Sequence, residues 1–290
     1  KVMATVFYDK AAVNVSFGDI NETLLASNCR INFASPSQPM YAIGTKGSLG
    51  QFPAGARVGD MSFGFLSSIT GDHHGHRGNI INYLASGIKN SVNSEASGVQ
   101  ITCAGVTGIG FLNSYSFNVA SNSISTSSAS FTFFGSGEQL PVAGFIYGET
   151  GNNPIQTGIL ATGIVHGRYT SLTPLKTVIA APTQTANIFA ADYSLSMAHN
   201  PVYKIGQEFP TTSFYTTAQE SVNVTEDVFD NALQFDESAS DITLQLVGIG
   251  GSESADYMHV GIVGAKQQGT SMTAGLDDII RTQKTLTAAY

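Results

Sequence analysis

The densest run of chemistry-bearing side chains is Asp72-His73-His74-Gly75-His76. Three imidazoles and a carboxylate are donors that zinc or nickel accepts, which makes His73, His74 and His76 weak metal candidates. Their spacing is too tight for one ion to take all three from a regular element. A solvated loop ahead of Asn79 is the better reading. His166, His199 and His259 stand alone in the sequence. Asp236-Glu237 with Asp241 could meet Ca²⁺, but the EF-hand pattern is missing. Gly108-Ile-Gly110 and Gly248-Ile-Gly250-Gly251 lack the remaining glycine of a dinucleotide fingerprint, and no helix-forming stretch follows them. There is no Walker A sequence and no Gly-x-Ser-x-Gly elbow. The expectation is therefore no catalytic residue, no cofactor and no enzyme. Cys29 keeps phase with Ile31 and Phe33, and Cys103 with Val99 and Ile101. Both read as small buried hydrophobes, in a pattern that suits assembly in a reducing cytosol.

The elements that would position any site are drawn from an unusual composition. The chain has 290 residues, long enough for two ordinary domains, with 42 % hydrophobic residues to form a core. Charged residues make up only 12 %, about half the usual share, and Ser, Thr, Asn and Gly take their place. A surface so poor in charge suits either a protein covered by neighbouring subunits or a stable extracellular β-protein. The net charge of −8 is unevenly placed: between Lys204 and Lys266 there are ten acids and no Lys or Arg. That excludes the basic patch on which phosphate binding by counterion release depends. No run of about 18 apolar residues predicts a membrane span, and the first residues carry no signal-peptide h-region.

An internal repeat organises the chain. Ile31-Asn-Phe33 followed by Pro39-Met-Tyr41-Ala-Ile43-Gly44 matches Tyr193-Ser-Leu195 followed by Pro201-Val-Tyr203-Lys-Ile205-Gly206, at an offset of 162 without a gap. Each copy reads as an alternating strand, a short turn and a second apolar stretch closed by Gly, then an aromatic–proline pair. Alternating strands follow at Met61–Phe65 and Val222–Val224. Each copy next predicts one short helix. Asn79 caps the first, with Ile80, Ile81, Leu84, Ala85 and Ile88 on one face; Thr225 caps the second, with Val228, Phe229, Ala232 and Leu233. Strands holding Val99, Ile101, Cys103 and Ile242, Leu244, Leu246 come after. The closing pairs are Tyr115–Val119 with Ala129–Phe133, and Val260–Val263 with Ile279–Leu286. Between the copies, 136–187 is broken by Gly and Pro yet holds apolar runs, so strands or an extended arm are expected rather than a tether.

This order of elements, and above all Leu112-Asn-Ser-Tyr-Ser-Phe-Asn-Val119 through Ser127–Gly135, resembles the tail tube (major tail) proteins of tailed bacteriophages. The resemblance covers both copies in pattern and is weak in letters. It implies a mainly β fold of two tandem β-sandwich or half-barrel domains, each with one short flanking helix: a first tube-like domain over 1–137, a β-rich connector or arm over 138–187, and a second tube-like domain over 188–290. It implies a virion protein, assembled in the host cytoplasm, that forms homo-oligomeric rings stacked around a channel through which DNA passes without specific binding. A duplicated domain implies trimeric rings mimicking hexamers, with a simple hexamer the other form, and contacts to other tail or connector proteins without membrane insertion. The alternatives are another β-sandwich virion part (a head–tail connector, a capsid cementing or a baseplate protein) and a carbohydrate-binding or adhesive sandwich, which the absence of Trp disfavours. Glu208, Glu220, Asp230, Asp236, Glu237, Asp241, Glu253 and Asp256 are the candidate channel-lining acids, since negative walls repel phosphates.

Overall fold

The computed structural model describes residues 13–34, 37–54, 58–69, 71–73, 76–89, 98–103, 106–134, 164–167, 171–173, 188–205, 210, 212–226, 240–247, 257–273 and 281–290. The fold is mainly β, with one helix among the described residues. Strands form where apolar and polar residues alternate. In Val58–Leu66, Met61, Phe63 and Phe65 are buried while Asp60 and Ser62 face water, the two-residue period of a sheet with one covered face.

The strands fall into two runs. The first holds β1 (Val13–Phe17), β2 (Ile20–Leu24), β3 (Ala26–Ala34), the hairpin β4 (Ser37–Met40) and β5 (Gly50–Pro53), β6 (Val58–Leu66), the small hairpin β7 (Gly71–His73) and β8 (His76–Gly78), α1 (Ile80–Lys89), β9 (Val99–Cys103), β10 (Val106–Ala120) and β11 (Thr126–Phe134). The second holds β12 (Ser171–Thr173), β13 (Ile188–Val202), β14 (Thr212–Glu226), β15 (Ser240–Val247), β16 (Tyr257–Thr273) and β17 (Arg281–Ala289).

Both runs pair in the same way. In the first, β3 pairs β6, β6 pairs β11, β11 pairs β10 and β10 pairs β9. In the second, β13 pairs β14, β14 pairs β17, β17 pairs β16 and β16 pairs β15. All of these ladders are antiparallel. β1 flanks β9 as β12 flanks β15. Even the irregularities correspond. The β10–β11 ladder shifts register between Leu112 and Ser114, and the β16–β17 ladder between Gln267 and Gly269. Each bulge adds one residue and bends a long strand that serves two ladders.

The two runs do not form separate sheets. They join in one 13-stranded sheet of order β12-β15-β16-β17-β14-β13-β10-β11-β6-β3, with β1, β2 and β9 off that path. Buried apolar side chains from both runs form one contiguous cluster. Of the expected connector over 138–187, the described parts are β12 and Ile164–Gly167. The latter threads between two turns: Ser125 N–H donates to Val165 O and Val165 N–H to Ser67 O, both at 2.9 Å.

The helix lies where its apolar face predicts. Asn79 Oδ1 accepts from Asn82 N–H at 2.9 Å, and Glu22 Oε2, on β2, accepts from Ile80 N–H at 2.6 Å. A cap and a carboxylate thus satisfy donors that the first turn leaves open. Ile80, Ile81, Leu84 and Ala85 are buried; the side chain of Ile88 and the residues expected to form a second helix, 228–233, lie outside the described residues. Gly78 enters the helix at φ +139°, and a Cβ there would stand 2.9 Å from Met258 Sδ. Only glycine lets β8 approach the core of the second run so closely.

Two expectations are corrected. The stretch 39–44 is not a second covered strand: it leaves pairing after Met40, and Tyr41 and Ile43 are exposed. In the second run Pro201 and Val202 continue β13, while Tyr203 and Ile205 are exposed beyond it. Ile279 and Ile280 of the last expected strand lie outside the described residues, and the strand is described from Arg281. Because Leu84 is buried against the sheet, Leu84→Asp should lower stability by several kcal/mol, read from urea unfolding. Gly87, exposed late in α1 with open space around a Cβ, gives the opposite sign: Gly87→Ala should add about 0.5–1 kcal/mol. Unchanged unfolding midpoints for both variants would refute this account of the helix.

Candidate functional site

Of the residues first singled out for chemistry, the side chains of His166, His199, Cys29 and Cys103 are among those described. His73 and His76 face each other across the small β7–β8 hairpin, while their side chains and His74 lie outside the described residues. No group of three metal-ligating side chains occurs among the described residues. Cys103 is buried and Cys29 half-buried, and neither is in a disulfide. The neighbouring Cys103 thiol, together with burial, pushes the Cys29 thiol above its usual value. His199 is not in a turn. It lies on β13 opposite Tyr215, beyond a register shift. Its ring packs 4.5 Å from Tyr215 and 5.8 Å from Phe111, and Nε2–H donates to Leu112 O at 2.8 Å. Burial lowers its pKa and keeps the ring neutral.

What the fold does assemble is a seam and a face. At the seam, β10 of the first run pairs with β13 of the second, from Ser114↔Ser196 to Ala120↔Ala190. Tyr115, Phe117 and Val119 point to the buried side with Ala191, Tyr193 and Leu195. Phe117 stacks on Tyr193 at 5.0 Å between centroids. Asn118 Nδ2–H donates to Asp192 on the other side of the sheet. On its covered side the seam is fully buried, and the His199–Leu112 bond closes its end. Sequence patterning gave no sign of this contact, because alternation fixes a strand's face and not its neighbour.

The opposite face of the sheet is polar without being highly charged. Hydroxyls pair across strands: Ser114 with Ser130 at 2.7 Å, Ser116 with Ser128 at 2.8 Å, and Thr285 Oγ1–H donates to Asn223 Oδ1 at 2.7 Å. A groove of about 520 Å³ crosses this face, lined by Asn28, Ser116, Asn118, Ser128, Asp192 and Asn223 among others. Hydroxyls that bond to each other offer weaker electrostatic purchase to phosphate than an Arg or Lys would.

The proposed channel acids need one correction. Glu220 is fully buried: it accepts from Tyr193 Oη–H and, at 2.8 Å, from Tyr290 Oη–H. A carboxylate enclosed by two tyrosines cannot line a channel. Burial, with the charge of Glu220 beside it, pushes the Tyr193 hydroxyl well above its usual pKa and keeps it a donor. Asp241 lies on β15 with its side chain outside the described residues; Glu208, Asp230, Asp236, Glu237, Glu253 and Asp256 lie outside them altogether. Among the described residues Glu226 is also buried, and it is ion-paired with Lys284 on the neighbouring strand. Of the repeat signature, Pro39, Tyr41, Ile43, Gly44, Pro201, Tyr203 and Ile205 are described, and Gly206 is not. Ile43 and Ile205 are fully exposed at the two matching tips.

Two outcomes follow. An unfolded His ionises near pH 6.5, whereas His199 resists protonation when folded. The unfolded chain therefore binds the proton first, and stability present above about pH 6.5 should fall as the pH drops below it. His199→Gln should flatten that stretch of a stability-versus-pH curve; a curve as steep as that of the unaltered protein would contradict it. Replacing His73, His74 and His76 together by Ser should leave oligomer size unchanged, and stoichiometric metal lost together with assembly would overturn the loop reading.

Compared with known proteins, the chain matches no family model and no curated protein sequence.

Proposed function

We infer that this chain is a structural protein whose copies join sheet to sheet into rings, stacked as the tail tube of a bacteriophage, a conduit for DNA. The observation that carries this reading is the head-to-tail seam. Two equivalent runs of strands are joined by β10 on β13, and a contact between unlike edges of like units continues by simple repetition. In this reading 1–137 and 188–290 are duplicated tube domains, 138–187 links them, and three chains per ring supply six domains. The polar sheet face lines the lumen. Its hydroxyls hydrate a passing duplex without gripping it, and the candidate acids other than Glu220 add repulsion. The exposed tips at Tyr41, Ile43, Tyr203 and Ile205 supply the apolar contacts between rings. The particle would be assembled in the host cytoplasm and carried in the virion tail, with no reaction catalysed.

A second reading, a glycan-binding sheet face, is favoured by the Asn- and Ser-lined groove. Electron microscopy of the purified protein separates the two. Rings or tubes with a central hole support the conduit, and Ile43→Asp combined with Ile205→Asp should leave rings but shorten or abolish tubes. Monodisperse monomers that bind an oligosaccharide panel would refute the conduit and support the glycan reading.

A further inference from the structure

The seam within the chain has two counterparts that carry no strand. In the first run, the segment after the β10 bulge, Ser114–Ala120, pairs with β13. In the second, the segment after the β16 bulge, Gly269–Thr273, pairs with β17 on one side only. β13 uses Ala190–Ser196 at the seam and pairs β14 with its other edge. The matching part of β3, reached through the offset of 162, is Asn28–Ala34, which pairs β6 only. Among the described residues no strand occupies either free edge.

We propose that these two edges join between copies: residues 269–273 of one chain add as an antiparallel strand to residues 30–34 of a second, with Met272 opposite Ile31. The inference rests on the reading of the chain as a self-assembling subunit and gives that contact its strands and register. At the seam Phe117 faces Tyr193. Phe117 is the third residue past its counterpart of Gly269, so it corresponds to Met272, and Tyr193 corresponds to Ile31. The same step sets Ser271 opposite Asn32 and Thr273 opposite Arg30.

The faces agree with this register without adjustment. Ser271, Thr273, Asn32 and Arg30 are exposed polar residues. Met272 lies opposite Thr282, which is buried, so it points to the covered side of the sheet. Yet it is 44 % exposed, and Ile31 is half-buried. The corresponding Phe117 and Tyr193 are both 2 % exposed. A neighbouring copy would cover Met272 as the seam covers Phe117. A slip of one residue would set Met272 against Asn32 or Arg30 and turn every side chain to the wrong face. The contact is also heterologous: each added copy leaves the same two edges free, so addition continues until a ring closes. Exposed strand edges otherwise invite unspecific pairing, and this joint removes them.

Two proteins test the register, one carrying Met272→Cys and the other Ile31→Cys, each with Cys29→Ser and Cys103→Ala so that only the new thiols react. Directly opposed residues in an antiparallel ladder lie within disulfide reach. Mild oxidation of the mixture should give covalent dimers, and neither protein alone should do so. Should the cysteine background fail to fold, charge reversal in the natural chain answers the same question. Ser271→Lys with Asn32→Lys should raise the concentration needed for assembly by about five-fold, and Ser271→Asp with Asn32→Lys should restore it. Rings that form without cross-linking and ignore the lysine pair would overturn this register while leaving the assembly reading intact. A protein that stays monomeric at all concentrations would overturn both.

Discussion

Every backbone N–H and C=O of a strand needs a partner, and the rest of this structure follows from how β10 meets that demand on both of its edges. On one side it takes β11, its neighbour in sequence; on the other it takes β13, more than 70 residues further on. Without the second contact the described strands would fall into two sheets. With it there is one sheet and one buried cluster, and among the described residues the edges of β3 and of 269–273 correspond to the pair already joined. The energetic content of the joint lies in the Tyr115, Phe117, Tyr193 and Leu195 side chains, all buried there. Covering an aromatic or Leu side chain contributes about 1.5–3 kcal/mol each.

The two faces of the sheet solve opposite problems. The covered face must exclude water, and its few ionisable groups are therefore partnered: Glu220 by two tyrosines, Glu226 by Lys284. A buried carboxylate without such partners would cost several kcal/mol. The open face must remain wetted and unreactive. Ser–Ser and Thr–Asn pairs across neighbouring strands satisfy it with almost no formal charge. That economy explains why charged residues make up only 12 % of the chain: much of the polar surface is made of hydroxyls and amides that bond to one another along the sheet.

Much of this was legible in the sequence because it is local. Two-residue alternation placed Met61–Phe65, Tyr115–Val119 and Ala129–Phe133 on strands, since in a pleated strand the side-chain period alone selects the buried face. The i, i+1, i+4, i+5 pattern after Asn79 placed the helix and its buried stripe. The offset of 162 foretold equivalent strands at 31–33 and 193–195, and the ladders of β3 on β6 and β13 on β14 run from equivalent positions. Gly108-Ile-Gly110 read as leading into a strand rather than a helix, and it lies within β10.

What only the tertiary structure decided are the relations between elements distant in the chain. Alternation names the face of β10 and cannot name β13 as its neighbour, because that choice depends on the shapes of Phe117 and Tyr193 meeting across a gap in sequence. Glu220 reads as a surface acid until Tyr193 and Tyr290 close over it. His199 reads as a turn residue until Leu112 supplies an acceptor and Phe111 a wall. The apolar letters of Tyr41, Ile43, Tyr203 and Ile205 suggest a covered strand, yet the hairpins carry them past the edge of the sheet into solvent. In each case the sequence by itself determined the chemical type of the side chain and its phase along the strand. Only the packing of remote strands determined what that side chain meets, because burial and partnership are properties of three-dimensional neighbours and not of chain neighbours.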